Sequence, residues 1–248
     1  MQCRFFLLVC VLGCGDNHNN GADARPSDSR PIDSAVAIDA RPIDAPPDAP
    51  PDAACAKQLL FGGETVGSGT TVYQIAPATI SYGSDGSGSD YTQLQTSTPA
   101  GGESGGQLLL AYENVIPAST AFSLEVVEQV VAVNPHNQYD SAAAIMGSLT
   151  GQVGTETDRG EMVYLDTAAV GWSDDSESFA VSIVDGNYHH FALSVSAAGS
   201  ATFSVDGVQA LTRNNYVTNG TVAVGDQTND PMVDGTTRYQ SVILSLCQ

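Results

Sequence analysis

From residue 55 onward, apolar side chains recur at every second position of short stretches that glycine, asparagine and aspartate interrupt. Phe179, Val181 and Ile183 share one face of an extended chain, while Ala180 and Ser182 share the other. The same alternation recurs at Phe122/Leu124/Val126, Phe191/Leu193/Val195, Phe203/Val205 and Val222/Val224. Turn residues separate the stretches at Asp185-Gly186-Asn187, Ala198-Gly199-Ser200, Asp206-Gly207, Asn219-Gly220 and Asp234-Gly235. Because no window carries a ten-residue helical stripe, the pattern predicts an all-β fold, an antiparallel two-sheet jelly-roll sandwich.

The first 54 residues divide into two segments that differ from this domain. In residues 1–13, Arg4 precedes the apolar run Phe5–Leu12, which is too short to span a bilayer and predicts a signal peptide. Residues 14–54 repeat proline, aspartate and alanine with few large apolar side chains, so they cannot offset the entropy of ordering. This composition predicts an extended tether, and it assigns residues 55–248 to one sandwich domain.

A cysteine follows the apolar run directly, at Gly13-Cys14. The arrangement resembles the lipobox of bacterial lipoproteins, in which the cysteine is acylated and begins the mature chain. The resemblance implies an exported protein anchored through Cys14 to a membrane, in the outer membrane or at the cell surface. The alternative is an ordinary signal peptide with a chance cysteine.

Two of the five cysteines remain for the folded domain, since Cys3 and Cys10 leave with the signal and Cys14 takes the lipid. Cys55 lies at the start of the domain and Cys247 is the penultimate residue. In an oxidising compartment this pair predicts a disulfide that joins the two ends. The alternative is two free buried thiols.

The charge balance excludes two classes of partner. The chain has 28 acidic and 8 basic residues, for a net charge of −20. A polyanion gains nothing from the release of phosphate counterions, which excludes nucleic acid. Attraction to anionic lipid is excluded on the same ground, so membrane attachment falls to the lipid anchor alone.

One hairpin carries a family resemblance. The segment from Asp185 to Val195, DGNYHHFALSV, and the segment from Ala201 to Val208, ATFSVDGV, are similar to the paired DGxWHHvAlt and atlyvDGv strands of laminin-G-like and pentraxin-like domains. These belong to the concanavalin-A-like lectin/glucanase superfamily, so the resemblance implies a concanavalin-A-like sandwich. Tyr188 departs from the usual tryptophan, and the insert Gly83–Ser89 has no counterpart. We expect His189 and His190 to be structural, with a catalytic or metal-binding role as the alternative.

A catalytic alternative comes from Glu156, Asp158 and Glu161, which have the E-x-D-x-x-E spacing of laminarinase-type glucanases on this fold. There one carboxylate is the nucleophile and another the acid of retaining hydrolysis. The intervening Thr157, Arg159 and Gly160 are typical of a loop rather than a strand that packs into a core. The pattern therefore favours an acidic loop and a protein without catalytic residues.

Acidic side chains cluster between the predicted strands and are candidate ligands for calcium. They comprise Asp174, Asp175 and Glu177 in one turn and Asp226, Asp230 and Asp234 in another, with a third polar turn over residues 134–140. Laminin-G-like and pentraxin domains hold Ca²⁺ through loop carboxylates, so the resemblance implies a calcium site at these six acids. Solvated acidic loops are the alternative, because the spacing matches no defined cation motif.

Taken together, these features predict a surface-anchored lipoprotein whose sandwich binds an extracellular glycan or protein through rim loops, with calcium assisting. A glucanase-like hydrolase and a structural envelope protein are the alternatives. Fold likeness alone does not choose among them, because the same sandwich carries unrelated functions.

Overall fold

The computed structural model describes residues 55–149 and 159–247. The predicted signal peptide, the tether with Cys14, and the acids Glu156 and Asp158 lie outside the described residues. Within the described ranges the chain forms fifteen strands. They are β1 Ala56–Phe61, β2 Thr71–Ile75, β3 Ala78–Ser84, β4 Asp90–Thr96, β5 Gln107–Tyr112, β6 Ala121–Val133, β7 Ala144–Met146, β8 Val163–Leu165, β9 Ala169–Trp172, β10 Ser178–Ala180, β11 His189–Val195, β12 Ala201–Val205, β13 Val208–Arg213, β14 Val222–Asp226 and β15 Gly235–Cys247.

The strands form two antiparallel sheets, which confirms the predicted sandwich. Sheet A has eight strands in the order β13-β12-β11-β6-β15-β4-β3, and β1 also pairs with β15. Sheet B has seven strands in the order β10-β9-β8-β7-β14-β5-β2. The 13-residue β15 pairs with β4 through residues 236–239 and with β1 through residues 242–246. Its register against β6 shifts at bulges after Thr236 and after Tyr239, the second of which lies between the two segments.

The alternating apolar residues of sheet A face sheet B and form the core. Phe122, Leu124 and Val126 of β6 lie beside Leu193 and Phe191 of β11, and all five are buried. Each such side chain contributes about 1.5–3 kcal/mol by leaving water. The period-two pattern therefore identifies the inner face correctly, as sequence analysis predicted.

Sheet B contains strands that are buried on both faces. Every residue of β5, Gln107–Tyr112, is buried. Leu108 and Leu110 join the core between the sheets, whereas Leu109 and Ala111 join a second apolar cluster on the opposite face. The other buried members of that second cluster are Ala144, Met146, Leu149, Met162 and Ala223. A continuous apolar run such as Leu108–Ala111 is the sequence pattern of a strand that is buried on both faces.

The predicted disulfide is confirmed. Cys55 and Cys247 are bonded, with their Cα atoms 4.2 Å apart. Directly beside the bond, Ala56 of β1 pairs with Leu246 of β15, so the ladder of the first and last strands continues the link. No helix in the described ranges is both long enough and apolar enough to cross a membrane.

The hairpin that carries the family resemblance forms as a turn followed by β11. Asp185 accepts a hydrogen bond from the backbone N–H of Asn187, and Gly186 supplies the positive φ of 88°. His189 is buried, and its two ring nitrogens lie 2.7 Å from Asp206 Oδ2 and 3.2 Å from Asp185 Oδ1. Burial alone would lower the pKa of His189, but the two aspartates outweigh burial and raise it. These contacts hold the hairpin closed.

Candidate functional site

The three polar loops that sequence analysis singled out converge at one place. Residues 134–140 contact both of the others. The Asn137 side chain donates to Asp230 Oδ2 at 3.1 Å, and the Tyr139 N–H donates to the carbonyl of Ser173 at 2.8 Å. The loops come together because β14, which leads into residues 227–234, pairs with β7, which follows residues 134–140. We call this group of loops the rim.

His136 connects its loop of the rim to the acidic turn that contains Asp175 and to Asp166 between β8 and β9. Its Nδ1 lies 2.7 Å from Asp166 Oδ2 and its Nε2 lies 2.9 Å from Asp175 Oδ1, while its ring stacks on Tyr164 with centroids 3.5 Å apart. Burial favours the neutral ring, yet the hydrogen bonds and charges of the two aspartates outweigh it and raise the pKa of His136. With a carboxylate at each nitrogen, the imidazolium form satisfies both partners.

Two arginines hold the rim from below. Arg159 donates to Asp140 Oδ1 at 2.5 Å and to the carbonyl of Tyr139 at 2.9 Å. Arg213 donates to Asp174 Oδ2 at 2.5 Å, and its guanidinium carbon lies 4.8 Å from the centroid of the Trp172 ring. Charge-assisted hydrogen bonds of this kind fix loop geometry more firmly than neutral ones.

A polar pocket of about 350 Å³ opens within the rim. This volume lies at the lower end of the range for small-molecule sites. The lining residues offer three carboxylates, one guanidinium and several hydroxyl and amide groups: Glu103, Ser104, Asp140, Arg159, Thr228, Asn229, Asp230 and Pro231. Such a surface can accept hydrogen bonds from a hydroxyl-rich ligand and donate hydrogen bonds to it.

Sequence analysis missed part of this pocket. Glu103 and Ser104 come from the connection between β4 and β5, which is distant in sequence from the three polar loops. The Gly105 N–H donates to the carbonyl of Asn229 at 2.8 Å, and the Asn229 amide donates to Ser104 at 3.0 Å. No sequence signal marks these residues, because their position depends on the strand order of sheet B.

The predicted metal ligands of the first acidic turn contact other side chains of the protein. Asp174 binds Arg213, and Asp175 binds His136. Glu177 accepts a hydrogen bond from the backbone N–H of Thr212 at 2.7 Å. This turn is thus part of the internal network of the rim.

The second acidic turn contains a buried carboxyl group. Asp226 accepts hydrogen bonds from the Thr96 hydroxyl at 2.5 Å and from the Thr228 N–H at 3.0 Å. Burial raises the pKa of Asp226 to about 8 despite these donors, and the charges of Asp234 and Asp140 add to the increase. Asp226 therefore holds a proton at neutral pH.

The two remaining predicted ligands lie near Asp226 in the chain. Asp230 accepts from the N–H of Met232 at 2.8 Å, and Oδ1 of Asp234 is buried without a hydrogen bond to any described residue. Among the described residues, no group of three or more histidine, cysteine, aspartate or glutamate side chains is placed to hold a metal ion. The calcium site stays a prediction.

Of the three acids of the catalytic alternative, Glu161 is described. It is buried, and both of its carboxylate oxygens accept from the backbone N–H of Val217, at 2.8 and 2.9 Å. This contact ties the segment before β8 to the loop after β13. With Glu156 and Asp158 outside the described residues, the glucanase-like site stays a prediction.

Comparison with known proteins defines the class of fold. No family model matches the chain, and no curated protein matches it. A fungal endo-β-1,4-glucuronan lyase from Trichoderma reesei is similar in structure, with a TM-score of 0.52 and 12% identity over 75% of this chain and 95% of that chain. A carbohydrate esterase from the Shiga toxin-encoding bacteriophage phi24B gives a TM-score of 0.51 and 14% identity over 77% of this chain and 97% of that chain.

A third solved structure, a protein of unknown function from Shewanella oneidensis MR-1, gives a TM-score of 0.50 and 10% identity over 79% of this chain and 88% of that chain. At such identities the likeness concerns the fold alone. The chain shares the fold of these proteins, an all-β sandwich of two antiparallel sheets, as predicted.

Proposed function

We propose that this protein is a non-catalytic binding module for a neutral glycan, and that the rim pocket is its binding site. The observation that carries the proposal is a single pocket that side chains from separate segments line together, residues 103–104, Asp140 with Arg159, and residues 228–231. Arg159 holds Asp140, and the Asn229 amide donates to Ser104, so these contacts fix the polar groups of the lining. Preorganised polar groups lose little entropy on binding, so even a small pocket can select a ligand.

The charge of the pocket defines the chemistry of the ligand. Glu103, Asp140 and Asp230 outnumber the single Arg159, and Arg159 is already paired with Asp140. Carboxylates accept hydrogen bonds from hydroxyl groups and repel anions, which favours an uncharged saccharide at this pocket. The names of two structural neighbours, a carbohydrate esterase and a glucuronan lyase, agree with a carbohydrate ligand.

The proposal includes the location of the protein. Acylation at Cys14 would hold the module at a membrane surface, and the residues between Cys14 and Cys55 would give it reach. The laminin-G-like or pentraxin-like type of the domain and a role for calcium belong to the same proposal. They rest on the hairpin resemblance and on the acids of the rim.

Direct binding tests the proposal. We expect the purified chain to bind at least one neutral polysaccharide on a glycan array, and to leave that polysaccharide uncleaved. The double variant Glu103→Gln with Asn229→Ala should weaken binding by roughly tenfold or more, because both side chains line the pocket. Glu64→Gln, which changes another exposed carboxylate outside the pocket lining, is the matched control. Failure to bind any neutral glycan, or unchanged affinity of the double variant, contradicts the proposal.

A further inference from the structure

Arg238 stands apart from the other basic residues of the described chain. The domain, residues 55–248, has 20 acidic and 4 basic side chains. Lys57 pairs with Glu125, Arg159 with Asp140 and Arg213 with Asp174. Arg238 forms a salt bridge with no carboxylate in the described ranges. In so acidic a domain, an arginine that is left without an acidic partner calls for an explanation.

Neutral groups hold the Arg238 guanidinium in place. Its Nε donates to Gln93 Oε1 at 2.9 Å and its Nη1 donates to Gln129 Oε1 at 3.2 Å. Arg238 pairs across the ladders with both glutamines, so the three side chains share the outer face of sheet A. The amide of Gln129 in turn donates to the carbonyl of Gly186, which fixes the direction of its oxygen.

An aromatic ring completes the support. The guanidinium carbon lies 4.8 Å from the centroid of the Tyr91 ring, within cation–π range. The ring lies across Gly83, where an added Cβ would come within 2.6 Å of the Tyr91 hydroxyl oxygen. Glycine at position 83 is therefore required for the ring to lie there.

The donors of Arg238 are only partly used. A guanidinium has five N–H groups. Nε and Nη1 each donate once, so one N–H of Nη1 and both of Nη2 have no acceptor in the described residues. Two amide oxygens orient the group without neutralising its charge, whereas a glutamate at either position would do both.

The surroundings of Arg238 oppose ligands that carry more than one negative charge. Tyr188 precedes β11, and burial raises the pKa of Tyr188 to about 12 while the charge of Arg238 opposes the increase, so the phenol is neutral near the guanidinium. Asp85 lies close enough to add to that increase, and it accepts a hydrogen bond from Gln240 at 2.8 Å. This carboxylate and the net charge of −20 oppose dianions and polyanions.

We infer that Arg238, Gln93 and Tyr91 form a binding site for a single carboxylate group, of the kind that a uronic acid residue presents. The planar guanidinium fork matches a planar carboxylate through two parallel hydrogen bonds. The site shares no residue with the rim pocket, so the chain has two binding surfaces of opposite preference. The carboxylate site stands independently of the glycan proposed for the rim.

The experiment follows the Arg238 Nε–H signal in the ¹⁵N-labelled chain during titration with methyl β-glucuronide. We expect a saturable shift with a weak dissociation constant, on the order of 10 mM, because the site offers little more than the charge-assisted hydrogen bonds of one guanidinium. Methyl β-glucoside, which lacks the carboxylate, should leave the signal unchanged. A shift of equal size and affinity with the neutral glucoside would overturn the inference, as would tighter binding of sulfate than of glucuronide.

Three variants of equal charge change provide the controls. Arg238→Gln removes the guanidinium, and Gln93→Glu gives Arg238 an internal carboxylate. We therefore expect both variants to lose glucuronide binding, which calorimetry measures. Lys57→Gln removes a positive charge elsewhere on the same sheet and should bind as the unaltered chain does. Gln93→Glu is nearly isosteric, so it decides the question even where Arg238→Gln does not fold. Glucuronide binding that survives Gln93→Glu, or that Lys57→Gln also abolishes, overturns the inference.

Discussion

Glu128 is an acid buried in the core of the sandwich. It lies on β6 opposite Tyr239 of β15 and is fully inaccessible to solvent. Neither carboxylate oxygen has a hydrogen bond of normal geometry in the described residues. Burial raises the pKa of Glu128 from 4.5 to about 8, and the nearby Tyr239 hydroxyl offsets a small part of this increase. Folding at neutral pH therefore requires that Glu128 take up a proton.

The change Glu128→Gln removes this requirement while it keeps the shape of the protonated side chain. A folded pKa above the unfolded value means that the wild-type stability is fully present below about pH 4.5 and is lost as the pH rises through about 8. At pH 7 the protonation cost is about 3 kcal/mol, from roughly 2.5 pH units at about 1.4 kcal/mol each. We expect the stability advantage of the variant to grow by about 3 kcal/mol between pH 5 and pH 8.

Urea denaturation at intervals between pH 5 and pH 8 measures this difference. The glutamine amide itself changes the free energy of unfolding, but by an amount that does not depend on pH. The test is therefore how the stability difference between the two proteins changes with pH. Asp226, the other buried acid with a pKa near 8, contributes equally to both proteins and cancels. Glu125→Gln, three positions earlier in β6 and on the outer face, is the control and should not reproduce the slope. A pH-independent difference for Glu128→Gln would refute the assignment of a buried, protonated acid.

Two further predictions concern the rim. His136→Gln should cost about 1–3 kcal/mol at pH 6 and less at pH 9, because the raised pKa makes the aspartate contacts of the ring strongest below about 6.5 and weaker as the pH rises through the folded value. Urea denaturation at the two pH values checks this, with the exposed His190→Gln as control, and an equal cost at both would contradict it. We expect about 10 mM Ca²⁺ to raise the Tm at pH 8, and Asp230→Asn, which removes a partly exposed predicted ligand, to abolish the increase. An unchanged Tm of the unaltered chain contradicts the calcium prediction.

The sequence predicted those parts of the structure that depend on local periodicity. Phe122, Leu124 and Val126 face the core because alternate side chains of a strand point to opposite sides, and this holds whatever the strand order. The disulfide followed from elimination, since Cys55 and Cys247 were the cysteines left to the domain. Both inferences need no knowledge of which strands are neighbours.

The rest of the structure depends on which strands are neighbours, and a single sequence does not reveal that. Arg238 meets Gln93 and Gln129 because β15 lies between β4 and β6, and bulges in β15 shift its register against β6. The rim pocket likewise unites Glu103 with Asp230 through the order of sheet B. Leu109 lies in a continuous apolar run, which does not indicate which side chains face the core. Its burial on the far face of sheet B was therefore not predicted.

The double burial of sheet B limits where this scaffold can change. A polar substitution in β5, β7 or β14 meets apolar neighbours whichever way it points, so most such changes would reduce stability before they could create affinity. New ligand preferences must then arise on the solvent side of sheet A or in the loops between strands. In relatives that share this architecture, we expect variation to concentrate on those two surfaces, and β5, β7 and β14 to tolerate little beyond exchange of one aliphatic side chain for another.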